Sequence, residues 1–122
     1  MDKRRREQYR RKLEQKQKDL EGLVSRMAEA GRAADVASPE DTGEHAASSY
    51  AKEFLFHQSD SERETLYLVE KAIIRTASTD FGRCQSCDEI IDKKRLDAVP
   101  WARYCRSCQE AEEHQESLDT EM

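Results

Sequence analysis

The sequence predicts a mainly α-helical protein: an antiparallel two-helix coiled-coil hairpin, then a small four-cysteine domain, then a short C-terminal helix. Three observations predict this fold. Apolar residues recur at helical spacing on both sides of a break that contains proline. All four cysteines fall in one short stretch as two CxxC pairs. Charged residues make up 39% of the 122 residues, which is too polar a composition for a large globular core.

The first helix is predicted over residues 3 to about 36. This stretch lacks proline, and its apolar residues are mostly three, four or seven positions apart, as on one face of a helix. The stripe consists of Tyr9, Leu13, Leu20, Leu23, Val24, Met27, Ala30 and Ala34. Residues 3–11 are strongly basic. That pattern fits either a solvated helix face or a patch that docks on an acidic partner.

A second helix is predicted after the break. Ser38 and Pro39 suit its N-cap and first helical position. The helix should run from the low forties to about Thr79 and be regular from near Glu44. Each helix has one apolar stripe and cannot bury it alone. Because the connection is short, the two helices should pack as antiparallel neighbours.

These elements suggest three segments. Residues 1–80 would form the hairpin, with its tip near residues 38–47. Residues 81–110 would form the four-cysteine domain. Residues 111–122 would form a C-terminal helix with a frayed acidic end.

The cysteines form two pairs, Cys84 with Cys87 and Cys105 with Cys108, separated by 17 residues. This spacing is typical of zinc-finger domains in which two knuckles supply four sulfurs to a tetrahedral Zn²⁺. We therefore predict one structural zinc ion held by these four side chains. Four protein sulfurs close the coordination shell and leave no position for catalysis.

Few large apolar residues surround the cysteines, so zinc binding should supply much of the folding energy of this domain. The main ones are Ile90, Ile91, Leu96, Val99 and Trp101.

Other roles for the cysteines fit less well. Two disulfides would suit a secreted domain, but the N-terminus has no apolar signal segment, so a cytoplasmic protein is expected. A thioredoxin-like CxxC occurs once and follows a strand. Iron remains an alternative, because ligand type alone does not exclude it.

The net charge of -5 is unevenly distributed. Residues 1–32 carry +5, residues 33–82 carry -6 and residues 83–122 carry -4. The negative charge of residues 33–122 disfavours direct sequence-specific nucleic-acid binding, because such binding depends on cationic contacts. No stretch approaches the roughly 20 apolar residues of a membrane span. The sequence contains no Ser-His-Asp arrangement, Gly-rich phosphate loop or HExxH motif. We expect a monomeric, non-enzymatic protein that acts on a protein partner.

A longer motif surrounds the cysteines. It reads Phe81-Gly82-x-Cys84-x-x-Cys87, then Ile90, then Arg95-Leu96-x-Ala98-x-Pro100, then Cys105-x-x-Cys108. This motif resembles the zinc-finger signature of the DksA/TraR family of bacterial regulators. The resemblance implies that RNA polymerase is the partner. It also implies that the hairpin enters the secondary channel of the polymerase and alters open-complex lifetime, while the zinc domain and C-terminal helix anchor outside.

The resemblance also implies a role for the hairpin tip. Family members carry Asp-x-x-Asp-x-Ala there, and counting back from Cys84 aligns this motif with Asp41, Glu44 and Ala46. Glu therefore replaces the second Asp. The two carboxylates would be delivered close to the polymerase active site.

Two departures from the family pattern stand out. The basic residues with which stress-responsive members bind ppGpp correspond here to Leu68, Val99 and Gln109. A polyphosphate needs cations or amide nests, so weak or absent ppGpp dependence is expected. In addition, Asp88 follows the second cysteine, where glycine is usual.

Two other functions remain open at this stage. The coiled coil and zinc finger could form a scaffold for a protein unrelated to polymerase. Less well supported is a thiol redox protein, which stoichiometric zinc on four unreactive cysteines would exclude.

Overall fold

The computed structural model describes the backbone of residues 1–35 and 42–121 and the side chains of residues 1–31 and 57–118. Of the predicted tip, Asp41 lies outside the described residues. Glu44 and Ala46 belong to described helix, but their side chains are not described.

The described residues form four helices, α1 (Lys3–Asp35), α2 (Thr42–Arg75), α3 (Lys93–Ala98) and α4 (Arg106–Glu121). They contain no strand, only an isolated antiparallel bridge between Arg83 and Ile90. The predicted mainly α-helical class is confirmed.

The chain forms two compact units. The hairpin unit comprises Gln15–Tyr67, and the cysteine unit comprises Met1–Glu14 and Leu68–Met122. Both long helices contribute to both units. The cysteine unit is therefore assembled from the start of α1, the end of α2 and everything that follows.

The buried side chains of α1 lie on the predicted apolar stripe; they are Tyr9, Leu13, Leu20 and Met27. The last three are seven residues apart, which is the heptad spacing of a coiled-coil seam. At the start of the helix, the Arg5 N–H donates a hydrogen bond of 2.8 Å to the Asp2 carboxylate. This side-chain cap satisfies one of the unpaired donors at the helix N-terminus.

α2 begins at Thr42, in the low forties as expected, and ends at Arg75, four residues before the expected Thr79. The Thr76 N–H is shared between the Ala72 and Ile73 carbonyls, and the next two N–H groups bond only to carbonyls three residues back, which tightens the chain into a 3₁₀-like turn. The Thr76 hydroxyl donates to the Ile73 carbonyl at 2.6 Å. These bonds replace the i→i−4 ladder, and the helix stops.

In the cysteine unit, the start of α1 lies beside the end of α2. Arg6 Nη1 donates to the Thr76 carbonyl at 3.2 Å, and the Tyr9 and Phe81 ring centroids are 5.6 Å apart. The two helices therefore run antiparallel, as predicted. The buried Tyr9 also reaches α3, where its hydroxyl donates to the Asp97 carboxylate at 2.5 Å.

We expect the Tyr9→Phe substitution to destabilise the cysteine unit by about 1 kcal/mol at pH 8, because it removes this hydrogen bond and leaves the exposed carboxylate to water. Burial and Asp97 raise the pKa of Tyr9 to about 12. The neutral phenol thus stabilises the fold below about pH 10, and that stabilisation is lost as the pH rises toward 12.

Urea unfolding of the zinc-loaded protein at pH 8 and pH 11 measures this effect. The difference between wild type and Tyr9→Phe should be smaller at pH 11. A constant difference across this range would contradict the assignment.

Candidate metal centre

The first cysteine pair lies on a tight turn that precedes α3. The Cys84 N–H donates to the Glu89 carbonyl at 2.8 Å, and the Asp88 N–H donates to the Cys84 carbonyl at 2.9 Å. The Ser86 N–H points at the Cys84 sulfur, 3.4 Å away. These bonds close residues 84–89 into a knuckle whose backbone donors surround a sulfur that is almost fully buried.

The second pair leads directly into α4. The Gln109 N–H donates to the Cys105 carbonyl at 2.9 Å, so Cys105 precedes the helix and Cys108 lies in its first turn. α4 therefore begins at Arg106, earlier than the C-terminal helix expected from the sequence. Partial positive charge at a helix N-terminus favours a thiolate there. The Gln85 N–H donates to the Arg103 carbonyl at 2.8 Å and joins the two knuckles.

The four predicted ligands converge. The sulfur atoms of Cys84, Cys87, Cys105 and Cys108 all lie within 4.8 Å of one another. Cys87 Sγ and Cys105 Sγ are 3.8 Å apart. A tetrahedron with zinc–sulfur bonds of about 2.3 Å has sulfur–sulfur edges of about 3.8 Å, whereas a disulfide requires about 2.0 Å. The arrangement fits a tetrahedral metal ion.

The protonation of the thiols also fits a metal ion. Burial alone would raise the pKa of Cys84, but the N–H groups of Cys87, Cys105 and Ser86 lower it to about 6. The neighbouring sulfurs of Cys105 and Cys84 raise the pKa of Cys108 to about 12. Crowded thiols therefore cannot all ionise by themselves. A bound divalent cation compensates the accumulated charge and displaces the protons.

A small apolar cluster supports the knuckles, and its buried members are Phe81, Ile91 and Leu96. Leu96 lies on α3, a six-residue helix that the sequence analysis did not predict. Two residues in the sequence could have indicated this helix: Asp92 at its N-cap position and Pro100 just beyond its end. Ile90, expected among the apolar residues of the domain, is 75% exposed.

Asp88 has a φ of 64°, in the left-handed region that disfavours side chains. We expect Asp88→Gly to stabilise the zinc-loaded domain by about 0.5 kcal/mol, because relief of this strain exceeds the entropy that glycine adds to the unfolded chain. Asp88→Ala should destabilise it, since Ala tolerates this conformation less well than Asp. Thermal unfolding of the two variants measures the contrast, and equal midpoints would show that the turn is unstrained.

Two knuckles that close four sulfurs around one point, with a helix starting at the second knuckle, define a C4-type zinc finger. The sequence profile described as "Prokaryotic dksA/traR C4-type zinc finger" matches residues 80–114. The chain belongs to the DksA/TraR family. It accordingly contains one structural zinc site.

Individual relatives extend this match. An uncharacterized protein of Aquifex aeolicus is 32% identical over 104 residues, which cover 84% of this chain and 72% of that protein. The RNA polymerase-binding transcription factors DksA of Escherichia coli and Salmonella typhimurium are 39% identical over 49 residues. That stretch is 40% of this chain and spans only 32% of those relatives.

A solved structure resembles the whole fold. Transcription factor DksA2 from Pseudomonas aeruginosa matches with a TM-score of 0.82 and 24% identity, over 96% of this chain and 89% of that one. The likeness confirms the predicted architecture of hairpin, zinc finger and C-terminal helix. Among the described residues, no helix is both long and apolar enough to cross a membrane.

Proposed function

We propose that this protein binds bacterial RNA polymerase and regulates transcription initiation through the secondary channel of the enzyme. The observation that carries the proposal is the 39% identity to proteins named RNA polymerase-binding transcription factors. The proposal assigns the zinc a structural role, because its four cysteine ligands leave no coordination site for a substrate. Under this proposal, the protein is a cytoplasmic regulator and not an enzyme.

The lengths of the two long helices support this mode of action. α1 has 33 residues and α2 has 34, so each is about 50 Å long at 1.5 Å per residue. Helices of this length are long enough to reach into a deep channel. Under this proposal, the zinc finger and α4 hold the polymerase surface.

The hairpin tip is the proposed effector region. Asp41 and Glu44 are three positions apart in the sequence of the predicted tip, and Ala46 completes the family pattern. Carboxylates at an exposed hairpin tip would contribute little to folding. Near the polymerase active site, however, they would alter the local field and the binding of metal ions or nucleic acid.

Co-purification with bacterial RNA polymerase core tests the proposal. A photo-crosslinking residue at His45 should then crosslink inside the secondary channel. The same residue at the exposed Glu64 position of α2 controls for unspecific crosslinking. Failure to bind polymerase would favour a scaffold for another protein. Binding with crosslinks only on the outer surface would refute insertion of the hairpin.

We expect ppGpp to add little to the effect of this protein on a ribosomal promoter. None of Leu68, Val99 and Gln109 supplies a cation, and the Gln109 side chain donates to Glu113 at 3.2 Å. Transcription in vitro with and without ppGpp measures the response. A matched variant, Leu68→Lys with Gln109→Lys, should increase it. Strong enhancement of the wild-type protein by ppGpp would contradict the prediction.

A further inference from the structure

Arg75, in the last turn of α2, has a guanidinium group that the rest of the chain does not fully satisfy. The residue is half-buried, and within the described part of the chain its Nη2 atom is buried without a hydrogen-bond partner. A guanidinium retains its charge at any ordinary pH. Removing a cation from water is strongly unfavourable unless an anion compensates it. Negative charge nearby would therefore stabilise Arg75 in this position.

Nearby basic residues add to the positive charge around Arg75. Burial, and then the positive charge of Arg103, lower the pKa of Arg75. Arg103 is itself exposed and lies over the Tyr104 ring, 5.2 Å from the ring centroid. Arg83 is also exposed, and its Nη1 donates to the Asp88 carbonyl at 3.3 Å. Of these three cations, Arg75 is the one that is withdrawn from solvent.

The metal centre is one source of negative charge that borders the same cavity as Arg75. Arg75 and Cys84 line the same cavity of about 150 Å³, together with Asp80 and Asp88. The two carboxylates belong to exposed residues, where water and salt screen their charge. Cys84 is only 2% exposed. Four thiolates around one Zn²⁺ carry a net charge of about −2, and a dianion in this setting needs nearby positive charge.

We propose that Arg75 is the charge-compensating residue of the zinc–thiolate centre. Its guanidinium stabilises the excess negative charge of the four sulfurs, and the centre in turn stabilises the buried cation. Because such coupling is reciprocal, zinc occupancy and the docking of the last turn of α2 reinforce each other. A residue nine positions before the first ligand thus becomes part of the zinc site through charge alone.

Competition with a chromogenic chelator tests this assignment on the full-length protein at pH 7.5. We expect Arg75→Gln to weaken zinc affinity about tenfold, the lower end of the range for groups surrounding metal ligands. Arg75→Lys, which keeps the charge, should retain most of the affinity. Arg63→Gln makes the same change at an exposed position of the same helix and should have no effect.

Only that pattern supports the proposal. Unchanged affinity in Arg75→Gln would overturn it. Equal weakening in Arg75→Gln and Arg75→Lys would show that packing, not charge, matters, and would also overturn it. Equal weakening of zinc affinity in Arg63→Gln would show that the net charge of the protein, and not the position of Arg75, determines the affinity, and would also overturn the proposal. Circular dichroism of each zinc-loaded variant checks that the helices remain formed. The experiment needs no polymerase, so its outcome is independent of the proposed function.

Discussion

Removal of zinc by a strong chelator is expected to unfold residues 81–110 while much of the helicity of α1 and α2 survives. Zinc binding to small four-ligand domains contributes about 10 kcal/mol or more of folding free energy. The apolar cluster that would remain has few buried members, notably Phe81, Ile91 and Leu96. This core is too small to hold the knuckles together alone. The hairpin unit has its own buried seam, which includes Leu20 and Met27.

Two measurements distinguish unfolding of residues 81–110 from unfolding of the helices α1 and α2. NMR amide signals of Ile91 and Leu96 should collapse to unfolded positions on chelation and return when zinc is restored. Circular dichroism should retain most of its helical signal. Cys84→Ser should reproduce the loss without chelator, whereas the matched change Ser107→Ala, at an exposed position between the second pair of ligands, should not. A domain that stays folded without metal would refute a structural role for zinc.

The largest functional effect is expected from the double substitution Asp41→Asn with Glu44→Gln. It removes two negative charges and changes little in size. If the tip acts inside the channel while the zinc finger and α4 provide the anchorage, binding to polymerase should be largely unchanged. The effect on transcription should disappear, because charge at the active site is what the tip would supply.

Asp60→Asn with Glu64→Gln is the matched control. These residues are exposed on α2, and the change in net charge is the same. Binding is measured by competition on core polymerase, and the effect is measured as open-complex lifetime on a sensitive promoter. Equal loss of binding in the tip variant would show that the tip anchors the protein, and equal loss of regulation in the control would show that position is irrelevant.

Spacing alone predicted much of the metal site. Two CxxC pairs with 17 intervening residues require both knuckles to meet at one ion, so the convergence of Cys84, Cys87, Cys105 and Cys108 could be anticipated. The bounds of the helices were less predictable. α2 ends where Thr76 diverts the hydrogen bonds, and α4 starts early because the second knuckle opens into it. The roles of Asp41, Glu44 and Ala46 stay predictions.

The amino-acid sequence by itself determined the elements that local repetition encodes: the heptad stripe of α1, the break before α2 and the ligand set of the zinc finger. Only the tertiary structure decided which distant residues meet. Tyr9 bonds to Asp97 across 88 positions, and α3 is too short to form without the burial of Leu96. Likewise, only packing reveals that Arg75 is half-buried, with an unpartnered Nη2 atom, and that it lines one cavity with Cys84. Periodicity specifies which face of a helix is apolar, but the burial of a single charge depends on everything that packs around it.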